Sequence, residues 1–323
     1  MNNTPRHALC GIALLLAGVA ADALAQDYPV RPVRLLTPVV PGGGLDFIAR
    51  VLAPPLTDNL GKAIVVDNRP GASGAIAMEI TARAAPDGYT LAIFSVSQVI
   101  YAEMNQTGYA MFRDFAPVSQ VAAAPYVMAV SPQMPATSAA ELIAYAKANP
   151  GKLTYASAGI ATLQQLAAEL FASTAGIKLT HVPYKGVAAA FPDLIAGRTH
   201  MTISSMSALA GLLRSRHLRA LAVTTSQRTA MLPDVPTLSE AGMPGLVVTQ
   251  WHGIVAPART PRAVIERLYQ GIARSVQQPD VAARLAADGT EAVGSTPQQF
   301  AAHMQAERAK WTAAIRQAGI SMQ

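Results

Sequence analysis

Val33-Arg34-Leu35-Leu36-Thr37-Pro38-Val39-Val40-Pro41-Gly42-Gly43-Gly44-Leu45-Asp46 decides the fold. Residues 33–40 read as a strand, the glycines as a sharp turn, and residues 45–53 as the start of a helix. A helix start carries unpaired N–H groups and partial positive charge, and glycine lets an anion approach the backbone closely. The run is not a nucleotide loop. It lacks the Lys-Ser/Thr pair of a P-loop and the G-x-G-x-x-G spacing of a dinucleotide fold. Asp46 would repel phosphate, so the loop suits a smaller ligand that carries both a carboxylate and a donor group. The same run also reads as a plain strand-to-helix turn capped by Asp46.

Outward from this stretch, short β-branched runs alternate with helical ones, the pattern of an α/β fold with largely parallel sheets. Pro54-Pro55 is expected to kink or end the first helix. A strand at 63–66 leads into a second glycine-rich turn, Asn68-Arg69-Pro70-Gly71-Ala72-Ser73-Gly74, and a helix at 75–85. A third strand follows at 90–95. A second series then runs through helix 138–149, strand 153–156, helix 163–175, strand 178–182, helix 188–196 and strands 201–204 and 218–224. Strand 249–255 and helices 261–277 and 297–317 finish the chain. Two series predict two lobes, with apolar strands 125–130 and 249–255 crossing between them. The expected division is residues 26–129 with 247–323 in lobe 1 and 130–246 in lobe 2. Ligands of such sheets bind beyond the carboxyl ends of the strands, so both sets of loops would face one cleft.

Composition narrows the function. The chain is 51% hydrophobic and only 14% charged, which predicts large buried cores. Aromatic residues are 6% of the chain, too few for stacking surfaces that hold bases or sugars. The net charge is +6, but the basic residues are scattered with no Lys/Arg run, which argues against a nucleic-acid partner and fits steering of small anions. Arg6 and His7 precede an apolar run, residues 8–20, shorter than the ~20 residues of a membrane span. Ala23-Leu24-Ala25 then supplies small residues for cleavage before Gln26, so residues 1–25 read as a bacterial signal peptide and the mature chain as periplasmic. The only cysteine, Cys10, lies inside that segment, leaving the mature chain without a thiol or disulfide.

Catalytic sets are thin. Tyr155-Ala156-Ser157-Ala158-Gly159 approaches the G-x-S-x-G nucleophile elbow but has tyrosine in place of the first glycine, so a serine hydrolase built on Ser157 stays an alternative. The histidines outside the signal segment are His181, His200, His217, His252 and His303, and none has another three to five residues away, so no paired-histidine metal motif exists. No cofactor motif is present. Instead, Ser157, Gly159 and Thr162 place hydroxyls at a helix start, a good carboxylate cradle. Thr162 also reads as an ordinary helix cap. His181-Val182-Pro183-Tyr184-Lys185-Gly186 forms another strand-to-helix junction.

These loops, in this order, resemble the substrate-binding proteins of tripartite tricarboxylate transporters, the Bug family. The likeness rests on Pro38 with Pro41–Asp46, Ala49-Arg50, Val66-Asp67-Asn68-Arg69-Pro70-Gly71-Ala72-Ser73-Gly74 and Pro86-Asp87-Gly88-Tyr89-Thr90. It continues through Tyr155–Gly159, His181–Gly186, Leu218-Arg219-Ala220-Leu221-Ala222-Val223-Thr224, Pro233-Asp234-Val235-Pro236-Thr237, Glu240-Ala241-Gly242, Trp251 and Ala256-Pro257. The resemblance implies a two-lobed "Venus flytrap" without turnover or cofactor, a monomer that binds a small carboxylate for the membrane permease subunits of a tripartite transporter. A sensor that acts on a membrane kinase is a second possibility. The implied contacts are Val39, Pro41, Gly42, Gly43, Gly44, Asp46, Ser73, Ser157, Gly159, Thr162, Lys185, Gly186 and Ser204, with no ion-pairing arginine. Leu45 stands where the family usually has Thr or Ser, Val39 where an aromatic is common, and Ile160 and Ala161 where Asn-Gly is frequent. A monocarboxylate with an apolar body is therefore expected in preference to a citrate-like acid.

Overall fold

A computed structural model describes residues 28–160 and 162–317, so the signal segment with Cys10, and Ala161, lie outside the described residues. The first half of the chain runs β1 (Val33–Thr37), α1 (Gly44–Leu60), β2 (Ile64–Asn68), a 3₁₀ turn (Ala72–Gly74), α2 (Ala75–Ala82), β3 (Thr90–Ser95), α3 (Val96–Met104) and β4 (Phe115–Val130). Then come α4 (Ala139–Ala148), β5 (Thr154–Ser157), α5 (Leu163–Ala175), β6 (Thr180–Pro183), a second 3₁₀ turn (Val187–Ala190), α6 (Phe191–Ile195), β7 (Met201–Ser205), α7 (Met206–Arg214) and β8 (Arg219–Val223). The chain closes with β9 (Thr249–Pro257), α8 (Arg262–Val276), α9 (Pro279–Ala287), β10 (Glu291–Ala292) and α10 (Pro297–Gln317).

Two sheets share one long strand. The first has the order β2-β1-β3-β9-β4, with β1 parallel to β2 and β3 and β9 antiparallel to β3 and β4. The second has β6-β5-β7-β4, with β5 parallel to β6 and β7, and with β8 on the other side of β4. From Phe115 to Pro125, β4 pairs with β9; from Tyr126 to Val130 it lies between β7 and β8. The expected crossing at 125–130 is thus the last six residues of a 16-residue strand. The return is pinned by buried Thr224, whose N–H donates to the Tyr126 carbonyl at 2.9 Å while its carbonyl accepts the Val248 N–H at 3.0 Å. Because β4 and β9 run against their neighbours, the sheet is mixed, and only the flanking β1–β3 and β5–β7 sets are parallel.

Alternation along the strands sorts the core, since successive strand side chains face opposite ways. Tyr126, Met128 and Val130 join one apolar layer, whereas Val127 and Ala129 join another. The first layer continues from Leu36 and Phe94 of one sheet, with Met78 of α2, to Tyr155 of the other, with Leu166 of α5, and includes Trp251, Phe300 and Trp311. Buried Glu307 fixes α10 there by accepting the indole N–H of Trp251 at 3.0 Å and of Trp311 at 2.9 Å, and it pairs with Lys310.

Pro54-Pro55 does not end α1, which runs unbroken to Leu60. Leu52, Leu56 and Leu60 are buried, and Leu56 and Leu60 lie against Gly271 of α8, where an added Cβ would come within 2.9–3.0 Å of them. That packing outweighs the lost backbone bonds. No helix among the described residues is long and apolar enough to cross a membrane.

Candidate functional site

The carboxyl ends of both sheets open on a cleft of two joined chambers, about 540 and 510 Å³. The first is walled by helix starts. Gly44 and Leu45 bring the start of α1, Gly74 that of α2, Ser97 and Gln98 that of α3, and Ser205 and Ser207 that of α7. Three of these starts have no side-chain cap: Gly43 before α1, Gly74 before α2 and Ser205 before α7. The Ala75 N–H at the start of α2 donates to the Ala72 carbonyl, the first N–H groups of α1 and α7 have no side-chain acceptor among the described residues, and each start contributes roughly half a positive charge. The start of α3, and that of α5 on the second chamber, are closed by their own residues. Ser95 and Gln98 form a capping box on α3, and Thr162 Oγ1 accepts the Gln165 N–H on α5.

The second glycine turn is held under strain. Ala72 (φ 46°) and Ser73 (φ 51°) both adopt left-handed backbone, unusual for residues with a Cβ. Gln98 Nε2 donates to the Ser73 carbonyl at 3.0 Å and keeps the turn against the cleft. Gly74 (φ 96°) has no room for a side chain, because a Cβ would stand 2.7 Å from Gln98 Nε2 and 2.8 Å from the Pro38 Cβ.

Among the described residues, no lysine or arginine lines either chamber. Anion attraction therefore comes from backbone dipoles and hydroxyls. Three titratable groups line the first chamber among the described residues, Tyr126, His252 and Asp288, and burial raises Tyr126, whose hydroxyl donates to Gln250 Oε1 at 3.2 Å. Burial pushes His252 down to about 4, so its ring is neutral at neutral pH, and its Nδ1 is buried without a partner among the described residues. Asp288 ends α9 at the mouth, has no side-chain partner among the described residues, and is raised by partial desolvation.

The residues expected from the sequence separate into two sets. Val39, Gly44 and Ser73 line the first chamber, and Ser73 and Thr162 line the second. Pro41, Gly42 and Gly43 shape the turn without lining it. Asp46 is a correction to the reading of a free ligand-facing carboxylate. Buried within the turn, it accepts the Gly42 N–H at 2.8 Å, Asn68 Nδ2 at 2.8 Å and Arg50 Nε at 2.9 Å. Desolvation alone would raise its pKa, but bonds from Arg50, Gly42 and Asn68 outweigh that and hold it below the usual carboxylate range. The negative group that does meet the cleft is Asp288.

Ser157 and Gly159 also sit behind the wall. Ser157 is fully buried, and its Oγ lies 2.6 Å from His181 Nε2, 3.0 Å from the Gly159 carbonyl and 3.1 Å from the Gly159 N–H. Gly159 N–H donates to Oγ, the Gly159 carbonyl also accepts from Thr162 Oγ1 at 2.8 Å, and the His181 tautomer sets which of Oγ and Nε2 donates to the other. Glu169 accepts from Tyr155 at 2.5 Å rather than orienting the histidine. Lys185 is exposed and Gly186 bonds the Ala158 carbonyl, and neither lines a chamber. Ser204 is buried with an unpartnered Oγ, while the neighbouring Ser205 lines the cleft, because adjacent strand residues face opposite sides. Arg69 pairs with Asp67 at 3.0 Å.

Sequence reasoning missed Ser95, Ser97, Gln98, Ser205, Ser207, His252 and Asp288. One signal was present, the Ser95-x-x-Gln98 spacing of a capping box just after an apolar strand. The others required the sheet order that brings β9 and the end of α9 beneath the helix starts.

This arrangement has relatives. A model of the tripartite tricarboxylate transporter family receptor matches residues 48–320. The chain belongs to this receptor family. Protein BugT of Bordetella pertussis is 37% identical over 325 residues, covering all of both chains. A solved structure titled R. palustris Rpa4515 with adipate shares 36% identity and a TM-score of 0.78, covering 91% of this chain and 99% of that one. MatC from Rhodopseudomonas palustris with bound malate shares 28% identity and a TM-score of 0.74, covering 89% and 100%. These tripartite-transporter receptors have the same two-lobed fold and are binding proteins, so the Ser157–His181 contact is read as a structural bond of the loop.

Proposed function

We propose that the protein is a periplasmic solute-binding receptor that captures a small organic acid between its lobes and delivers it to the permease subunits of a membrane transporter. Uncapped helix starts meeting at a cleft with no lining cation carry this reading, since such starts favour a carboxylate held by backbone N–H groups. The adipate and malate in the titles of the two relatives support the same class of ligand. In this reading residues 1–25 direct export, lobe 1 comprises residues 26–129 with 247–323, lobe 2 comprises 130–246, and the receptor works as a monomer. Ser73 belongs to the cradle with Val39 and Gly44 as neighbours, and Thr162 lines the second chamber.

A thermal-shift screen of mono- and dicarboxylates, adipate and malate included, tests the reading. A ligand at 100 times its Kd stabilises the fold by about 2.7 kcal/mol. A concentration-dependent rise in melting temperature with at least one acid is expected. No shift with any acid, alongside a shift with neutral or cationic solutes, would overturn it.

A further inference from the structure

We propose that the second chamber is a subsite for the apolar body of the ligand, so that the cleft selects aryl or long-chain alkyl monocarboxylates. This rests on the carboxylate-receptor reading above and specifies its ligand class.

The subsite is built from both sides of the cleft. Tyr101 and Met104 come from α3, and Ala158, Ile160 and Leu163 from the junction between β5 and α5. Met104 and Leu163 are buried and form the apolar floor. Ile160 is 72% exposed, a large aliphatic side chain on the wall with little packed against it. An aromatic ring placed between Tyr101, Met104 and Ile160 meets an edge-accepting ring, a polarizable thioether and an aliphatic face.

The two chambers are continuous. Ser73, Ser97 and Gln164 line both, and their side chains have no hydrogen-bond partner among the described residues. A ligand whose carboxylate meets the helix starts of the first chamber therefore passes a hydroxyl- and amide-lined neck before reaching the apolar floor. Each chamber, at about 540 and 510 Å³, lies within the ~300–1,000 Å³ of a small-molecule site. A compact acid fills one and leaves the other wet.

Charge excludes the obvious competitor. A dicarboxylate that spans the neck brings a second anion into a space with no lysine or arginine among the described residues, while Asp288 opposes it from the first chamber. A second carboxylate there exchanges its hydration for a few side-chain hydroxyls and amides, with the apolar floor of Met104 and Leu163 offering none, whereas an aryl group loses only ordered water.

Titration calorimetry of the purified mature protein against butyrate, 4-phenylbutyrate and adipate tests the subsite. Burial of the ring predicts 4-phenylbutyrate binding roughly 10- to 100-fold tighter than butyrate. Ala158→Phe, which fills the chamber, and Ile160→Asn, at an exposed position that leaves the fold intact, should each shrink that ratio while keeping butyrate affinity. Equal affinity for the two monoacids, or a ratio that survives both variants, would overturn the subsite. Adipate binding more tightly than 4-phenylbutyrate would overturn it too, yet leave the receptor reading standing. No binding of any of the three acids, together with no response in the wider carboxylate screen, would remove the receptor reading and the subsite with it.

Discussion

Replacing Asp46 by alanine separates a structural carboxylate from a ligand contact. The side chain accepts the Gly42 N–H and Asn68 Nδ2, each at 2.8 Å, inside the glycine turn. A hydrogen bond to a charged group contributes about 1.5–3 kcal/mol, so losing both costs roughly 3–5 kcal/mol after allowing for non-additivity. The Arg50 contact is left out of that sum, because the guanidinium is largely exposed and water replaces its partner. Such a loss is a large fraction of the stability of an ordinary domain. Urea unfolding followed by circular dichroism reads it directly, and calorimetry with a bound acid reads the effect on the cleft. The expected outcome is a much lower unfolding midpoint, with affinity reduced only through the loosened turn. An Asp46→Ala protein as stable as wild type that has lost its acid would refute the structural assignment.

His252 gives a pH signature. Its folded pKa of about 4 lies below the unfolded value of ~6.5, so its stabilising effect is complete above pH 6.5 and drains away as pH falls toward 4. Between pH 8 and pH 5 this group alone should cost about 2 kcal/mol, seen as the part of the urea-midpoint shift that disappears in His252→Asn. Gly74→Val should destabilise by about 2–4 kcal/mol, from left-handed backbone plus the clash with Gln98 and Pro38, and should weaken acid binding as the Ser73 turn moves. Ser157→Ala should lose about 1–3 kcal/mol by orphaning His181 and the Gly159 N–H, with affinity changed only a few-fold. Ester-hydrolysing activity present in wild type and absent in this variant would reverse that assignment.

The fold was legible because strand and helix periods alternate cleanly, and the two glycine-rich turns marked where β1 and β2 hand over to helices. The exceptions have physical causes. Pro54-Pro55 reads as a stop, but burial of Leu52, Leu56 and Leu60, the last two against α8, carries the helix through. Helix α3 follows β3 with no glycine or proline between, so Ser95-Val96-Ser97-Gln98 reads as more strand until its capping box is noticed. At the site, composition indicated a carboxylate cradle of small donors, whereas register decided which donors face it. Ser204 and Ser205 differ by one residue and face opposite sides of β7. Asp46 and Asp288 show the same limit across longer distance. The sequence places Asp46 in the most informative loop, but only the tertiary structure reveals that Arg50, Gly42 and Asn68 use it up and that Asp288 meets the cleft.

A crystal structure of the mature protein soaked to saturation with a carboxylate that shifts its melting temperature is the most direct test of the central claim. The account predicts carboxylate oxygens at about 2.7–3.2 Å from backbone N–H groups at the uncapped starts of α1, α2 or α7, with no lysine or arginine in contact. An acid seated instead on a surface arginine or lysine, with the cleft holding only water, would contradict it.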